Sequence, residues 1–177
     1  MVWSCLVSIL PGMAQTEKLT DYVNPFVGTD GYGNVYPGAQ IPFGGIQISP
    51  DTDSRFYDAA SGYKYNHLTL MGFSLTHLSG TGIPDLGDFL FIPGTGEMKL
   101  EPGTHEDPDQ GYRSRYSHDK EWASPNYYAV ELADYGVKAE MTSGVRSGMF
   151  RFTYPESDNA FIMIDMNHTC LLYTSPS

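Results

Sequence analysis

Cysteine is nearly absent from this 177-residue chain, with only Cys5 near its start and Cys170 near its end. The region between them can hold no disulfide framework, so its stability has to come from a packed core, and either redox compartment is tolerated. Positive charge is also scarce: 10 Lys and Arg stand against 21 Asp and Glu, a net charge of −11. Most of such a surface would repel a phosphate backbone, which argues against a nucleic-acid partner. The acid excess is compatible with neutral glycans and divalent cations, and it is also an ordinary route to solubility. No run approaches the ~20 consecutive apolar residues of a membrane span. No window of helix length shows an apolar period near 3.6, so a helical architecture is not expected. The five histidines, His67, His77, His105, His118 and His168, never fall at i and i+4 around a glutamate, which excludes a zinc-protease helix. Gly-x-Ser-x-Gly is missing, and neither cysteine has a reactive setting.

What is present points to β structure. Hydrophobic residues make up 41% of the chain and aromatics 14%, enough to offset the ordering entropy of a single domain. Thirteen Tyr and nine Phe against two Trp favour strands, and a flat ring with a polar tip also suits sugar or peptide surfaces. Val137 to Thr142 and Phe150 to Tyr154 alternate apolar and polar residues and predict half-exposed antiparallel strands. Tyr127 to Leu132 precedes the first of these across Ala133-Asp134-Tyr135-Gly136, a short hairpin connection. Ala160 to Met166 is apolar on both faces until Asp165 and predicts a central strand covered on each side. Ile41 to Ser49, Asp88 to Ile92 and Tyr112 to His118 are further strand candidates between turn-rich segments. The economical architecture is an all-β, antiparallel β-sandwich.

The ends read differently. Met1 to Ala14 carries Val2-Trp3 and Leu6 to Leu10, then Pro11-Gly12-Met13-Ala14 before the polar Gln15. This resembles a secretory signal peptide, although no Lys or Arg precedes its apolar run. Cys5 lies within it, in a poor lipidation context. Residues 15–169 form the expected β domain. Cys170 to Ser177 breaks from the preceding run without a turn or cap and reads as a non-native tail.

Several apparent motifs dissolve on inspection. Gly28 to Gly38 would need a glycine at Tyr36 and a following helix to bind a dinucleotide. Asp51-Thr-Asp53 opens like a calcium loop, but Arg55 and Phe56 occupy a ligand position and the required glycine. Asp107-Pro-Asp109-Gln-Gly111 offers oxygen ligands in a tight loop, and a surface turn has the stronger claim there. Asn167-His168-Thr169 matches a glycosylation acceptor, a pattern too short to carry an argument.

Gly72 to Asp88 is the richest stretch, combining one imidazole, hydroxyls, two carboxylates and several glycines. Its glycines let the main chain approach a ligand, and Thr76, His77, Ser79, Thr81, Asp85 and Asp88 suit a polyhydroxylated partner. Judged by residue types alone, a structural turn has an equal claim, since the same residues dominate turns.

Six ordered segments resemble the amino-terminal domain of glycoside hydrolase family 92. They are Asn24 to Thr29, Tyr36 to Gly44, Ser49 to Thr52, Ser61 to Tyr63, Gly72 to Asp88, and Ala123 to Tyr128. The resemblance runs from about Tyr22 to about Asp165. It implies a β-sandwich packed on a helical toroid, in a secreted or periplasmic, calcium-dependent, inverting exo-α-mannosidase of α-1,2 type acting on mannose-containing glycans. It also implies that both catalytic carboxylates and most calcium ligands lie in that helical domain, so the chain holds neither a catalytic residue nor a metal site of its own and is inactive alone. His77, Ser79, Gly80, Thr81 and Gly82 are then expected to face the sugar, with Asp85 and Asp88 fixing the loop. Leu75 stands where many relatives carry histidine, as do Tyr32 or Asn34, and Asn126 stands where glycine is usual. The competing readings are a stand-alone carbohydrate-binding sandwich and a purely structural or adhesive domain.

Overall fold

The computed structural model describes residues 17–53 and 57–168. The expected leader at 1–14 and tail at 170–177 lie outside the described residues. Within them there is no α-helix; ten strands and four short 3-10 turns make up the regular structure. Two four-stranded antiparallel sheets form the two layers of the sandwich, and a two-stranded ribbon lies beside them.

The first sheet is a meander of β6 (Glu121–Ser124), β7 (Tyr127–Leu132), β8 (Val137–Ser143) and β9 (Gly148–Thr153) in sequence order. Local chemistry sets each of its corners. Between β6 and β7, Pro125 precedes Asn126, whose φ is 60°, the pattern of a type II turn. Asn126 belongs here because its amide donates to the Ser143 carbonyl at 2.8 Å and accepts from the Ser143 N–H at 3.1 Å. Between β7 and β8, Gly136 takes φ 64° and its N–H donates to Leu132 O at 2.8 Å, so Leu132 pairs with Val137. Tyr128, Val130, Leu132, Val137, Ala139 and Met141 are buried on the inner face.

The second sheet runs β1 (Ser49–Asp51), β3 (Gly72–Ser74), β4 (Leu90–Thr95), β10 (Ala160–Asp165), all neighbours antiparallel. Its inner face meets the meander through aromatic rings: Phe73 lies 6.3 Å from Phe150 and 6.1 Å from Phe152, and Phe91 lies 5.0 Å from Phe150. The ribbon pairs β2 (Thr69–Leu70) with β5 (Ser114–Arg115).

Some expectations are corrected. Ala160 to Met166 is not a central strand: β10 pairs only with β4, and its outer edge has no strand partner among the described residues. Ile162 and Ile164 are 52% and 51% exposed, and Met166 is 71% exposed. An apolar run reports a need for cover, not where the cover comes from. Of Ile41 to Ser49 only Ser49 joins a strand, because Pro42, Gly44-Gly45 and a positive φ at Phe43 break the extended run. Of Tyr112 to His118 only Ser114–Arg115 pairs. Gly72–Ser74 at the head of the glycine-rich stretch is strand, not loop.

Candidate functional site

The remainder of that stretch, residues 76–87, is a compact loop with joined ends, of the kind that often carries function. The Gly87 N–H donates to Thr76 O at 2.9 Å, and His77 and Leu86 form an antiparallel bridge. Gly80 donates from its N–H to Asn34 O at 2.7 Å, which ties the loop to the segment at 28–36. The Tyr57 ring closes against Gly82, where an added Cβ would sit 2.1 Å from the ring, so a larger residue would have to displace that ring. Tyr32 and Tyr57, 79% and 63% exposed, stand beside the loop with their centroids 6.3 Å apart.

The predicted residues separate into surface and support. Ser79 and Gly80 are exposed and Thr81 and Gly82 half-buried, together forming the outer rim of the loop. The Thr81 hydroxyl accepts from the Ile83 N–H at 3.3 Å. Asp85 accepts from the Leu86 N–H at 2.9 Å, which allows the positive φ of Leu86 next to it. Asp88 is exposed at the far end, where the chain enters β4.

His77 lies underneath the rim, with only 2% of its side chain exposed. Its Nδ1 lies 2.7 Å from Gln47 O, and its Nε2 lies 2.9 Å from Asp51 Oδ1 and 3.0 Å from Ser74 Oγ. Both ring nitrogens are therefore engaged within the chain, and the ring packs 5.1 Å from that of Tyr36. Burial alone would push the Asp51 carboxyl up, but the charges of His77 and His168 and the hydrogen bond with His77 outweigh it and hold Asp51 well below the usual carboxylate range.

Sequence reasoning passed over the buried polar groups that support this half of the molecule. Asp51 stood in a failed calcium loop and in the Ser49 to Thr52 segment, and His168 in a glycosylation triplet, with nothing to pair the two. Arg113, 2% exposed, donates to Thr52 O and Thr69 Oγ1. Glu121 accepts from Tyr63 and Tyr128 at 2.9 and 2.5 Å, and its other oxygen lies 2.6 Å from His118 Nδ1. Burial first, and then the Glu121 charge, push the Tyr128 phenol well above its ordinary value. Spacing could not reveal these groups, since their partners lie far away in sequence. At the Asp107–Gly111 turn the structure shows an ion pair: Asp109 accepts twice from Arg115, at 2.9 and 2.8 Å. Among the described residues, no three His, Cys, Asp or Glu side chains converge to hold a metal ion.

Comparison with known proteins supplies a context for this geometry. A family GH92 alpha-mannosidase from Bacteroides thetaiotaomicron, solved also in complex with mannoimidazole, is 99% identical with a TM-score of 0.86, over 87% of this chain and 21% of that one. A family GH92 inverting mannosidase from the same species is 28% identical with a TM-score of 0.68, over 85% of this chain and 20% of its own. An uncharacterized secreted glycosidase of Arthroderma benhamiae is 30% identical over 77% of this chain and 17% of its own length. The chain thus spans about a fifth of the length of these relatives. Residues 22–174 match the glycosyl hydrolase family 92 N-terminal domain, and on that match, together with the fold shared with its solved relatives, the chain belongs to that family.

Proposed function

We propose that this chain is the N-terminal domain of a secreted or periplasmic, calcium-dependent, inverting exo-α-mannosidase, and that it forms one wall of the sugar pocket. The observation that carries the reading is the 99% identity to a solved family GH92 alpha-mannosidase of which the chain covers only 21%. The rim at Ser79, Gly80, Thr81 and Gly82 presents hydroxyls and exposed main chain to a sugar, with His77 and Asp85 fixing the loop from below and Asp88 at its exit. Sites of this kind commonly form where two domains meet, which suits a rim that is open on the isolated domain.

Inversion needs an acid to protonate the leaving oxygen and a base to activate water, with their carboxyl groups about 6.5–9.5 Å apart. We assign both groups, and most of the calcium ligands, to a helical domain in cis. This is supported by the engagement of the buried carboxylates Asp51, Glu121 and Glu140 with histidine, tyrosine or arginine partners in the fold. The presence of a secreted relative and a leader-like start at residues 1–14 support export, with the domain proper beginning at residue 15. Among the described residues no helix is long and apolar enough to cross a membrane.

The test is to join the chain to the downstream sequence of its 99% identical relative and to measure mannose release from α-1,2-, α-1,3- and α-1,6-linked substrates with and without calcium. Calcium-dependent release with inversion is expected, and none from the chain alone. Failure on every linkage would overturn the assignment. Saturable mannoside binding by the isolated chain at millimolar affinity or better, about −4 kcal/mol, would favour a stand-alone binding module instead.

A further inference from the structure

We propose that Asp51 is a positioning residue for the sugar-facing rim, holding the loop at 76–87 and the chain leaving β10 on one buried carboxylate. The inference rests on reading Ser79–Gly82 as that rim. Asp51 is 1% exposed at the end of β1, and its two oxygens face different parts of the chain. Oδ1 lies 2.9 Å from Nε2 of His77, the residue at which the loop closes on Leu86. Oδ2 lies 3.4 Å from Nε2 of His168, and among the described residues neither of these two atoms has a hydrogen-bond partner. A third segment is fitted to the same pair: at Gly62 an added Cβ would meet Asp51 Oδ1 at 2.1 Å and His77 Cδ2 at 2.9 Å.

The arrangement makes the groups interdependent. A carbonyl oxygen only accepts, so the contact with Gln47 O requires the His77 Nδ1 to donate and fixes the ring orientation. Nε2 is then directed at the carboxylate, and neither histidine can swing away without leaving a buried charge less well paired. His168 sits between this interior and the surface, because with Asp165, Asn167 and Tyr112 it lines a cleft of about 260 Å³. A shift of the chain beyond β10 is thereby transmitted through His168 and Asp51 to His77 and the rim. The sugar-facing edge and the segment that follows β10 are held by one group, although they are separated by about half of the sequence.

Asp51→Asn keeps an acceptor for His77 while removing the charge and turning an amide toward His168. In the full-length Bacteroides thetaiotaomicron alpha-mannosidase that is 99% identical over this region, assayed well below its melting transition, KM should rise about tenfold with kcat within about twofold. The double substitution Ser79→Ala and Thr81→Ala, made in parallel, reports on the rim itself and should also raise KM. A raised KM in both supports the proposal. An unchanged KM for Asp51→Asn beside a raised KM for the rim variant overturns the positioning role and leaves the rim intact. No change in either overturns both, and a change in Asp51→Asn alone shows that Asp51 acts elsewhere and overturns the proposal.

On the chain itself, amide hydrogen exchange in Asp51→Asn should quicken at Gly80, Gly87 and 165–168, with β7 and β8 unaffected. A uniform loss of protection would mark a merely structural residue. Should Asp51→Asn fail to fold, His168→Gln decides the matter: faster exchange at Gly80 and Gly87 supports the coupling, and unchanged exchange there overturns it.

Discussion

The meander from Glu121 to Thr153 and the half built around residues 17–89 are held together by different means. In the meander, each strand pairs with the next in sequence, turns of two to four residues set the register, and apolar side chains alternate onto the inner face. Away from Glu121, its pairing involves exposed partners, as where Arg151 grips Glu140 at 2.7 and 2.8 Å. In the other half, β1, β2 and β3 are only two or three residues long, and much of the path between them is turn. That path is fixed by buried polar hubs: Asp51 with its histidines, Arg113 on Thr52 and Thr69, and Tyr63 on Glu121. A hairpin sheet draws its geometry from local rules and tolerates change at single sites. An irregular half depends on a few long-range polar contacts, and it can place a binding loop that no regular strand could place.

The contrast is broken most severely where the halves meet. Glu121→Ala leaves the hydroxyls of Tyr63 and Tyr128 and the His118 ring without their shared acceptor, and is expected to destabilise by roughly 3–5 kcal/mol in denaturant titration. A loss below about 1 kcal/mol would show that the hub contributes little and the comparison is misconceived.

Next comes a matched pair of backbone substitutions. Gly62→Ala in the irregular half combines a φ of 88° with a Cβ 2.1 Å from Asp51 Oδ1, and should cost about 2–3 kcal/mol. Asn126→Gly in the meander keeps the positive φ and loses the contacts to Ser143, so it should cost about 1 kcal/mol or less. Equal losses would erase the distinction between locally and remotely specified turns.

Acid separates the halves through different carboxylates. Arg151, and then Tyr127, hold Glu140 down to about 2, while Asp51 is held low by His77 and His168 against its own burial. Both folded values lie below the unfolded ones, so both contributions are fully present above pH ~5 and are lost as the pH falls through the folded values. Melting curves between pH 7 and pH 2 should show that loss. Raising the salt concentration should weaken the Glu140–Arg151 contribution, whose arginine is exposed, and leave that of Asp51 in place. A salt response that persists undiminished in Glu140→Gln would assign the effect elsewhere.

The smallest effect on folding is expected at the open edge. Ile162→Thr with Ile164→Thr should change stability by no more than about 0.5 kcal/mol per site, because each residue is already half exposed. The same variant should delay aggregation in light scattering, since an uncovered apolar edge strand invites pairing with another chain. A large loss of stability would mean that these side chains are covered in solution.

The meander was largely legible beforehand. The alternation in Val137 to Thr142 and Phe150 to Tyr154, and the turn residues at 133–136, each specify their structure within a few neighbours. Asn126 in a glycine-like position was readable for the same reason, because the conformation belongs to the residue and the turn. The stretch from Ile41 to Ser49 was not, since its apolar residues follow a path broken by Pro42 and Phe43 and held by contacts from elsewhere. At the site, the residue types in Gly72 to Asp88 suggested a loop with hydroxyls, and the structure presents Ser79 and Gly80 at its rim. It also draws His77 inward to Asp51, which sequence spacing gave no reason to expect.

By itself the sequence determined the class of fold, the hairpins and the family, because alternation, turn chemistry and ordered short motifs are carried by neighbours along the chain. Only the tertiary structure decided that β10 is an edge among the described residues, that Asp51 faces both His77 and His168, and that Glu121 joins the two halves. Burial and pairing arise between groups far apart in sequence, and a residue's type reports that it needs a partner without naming which one the fold supplies.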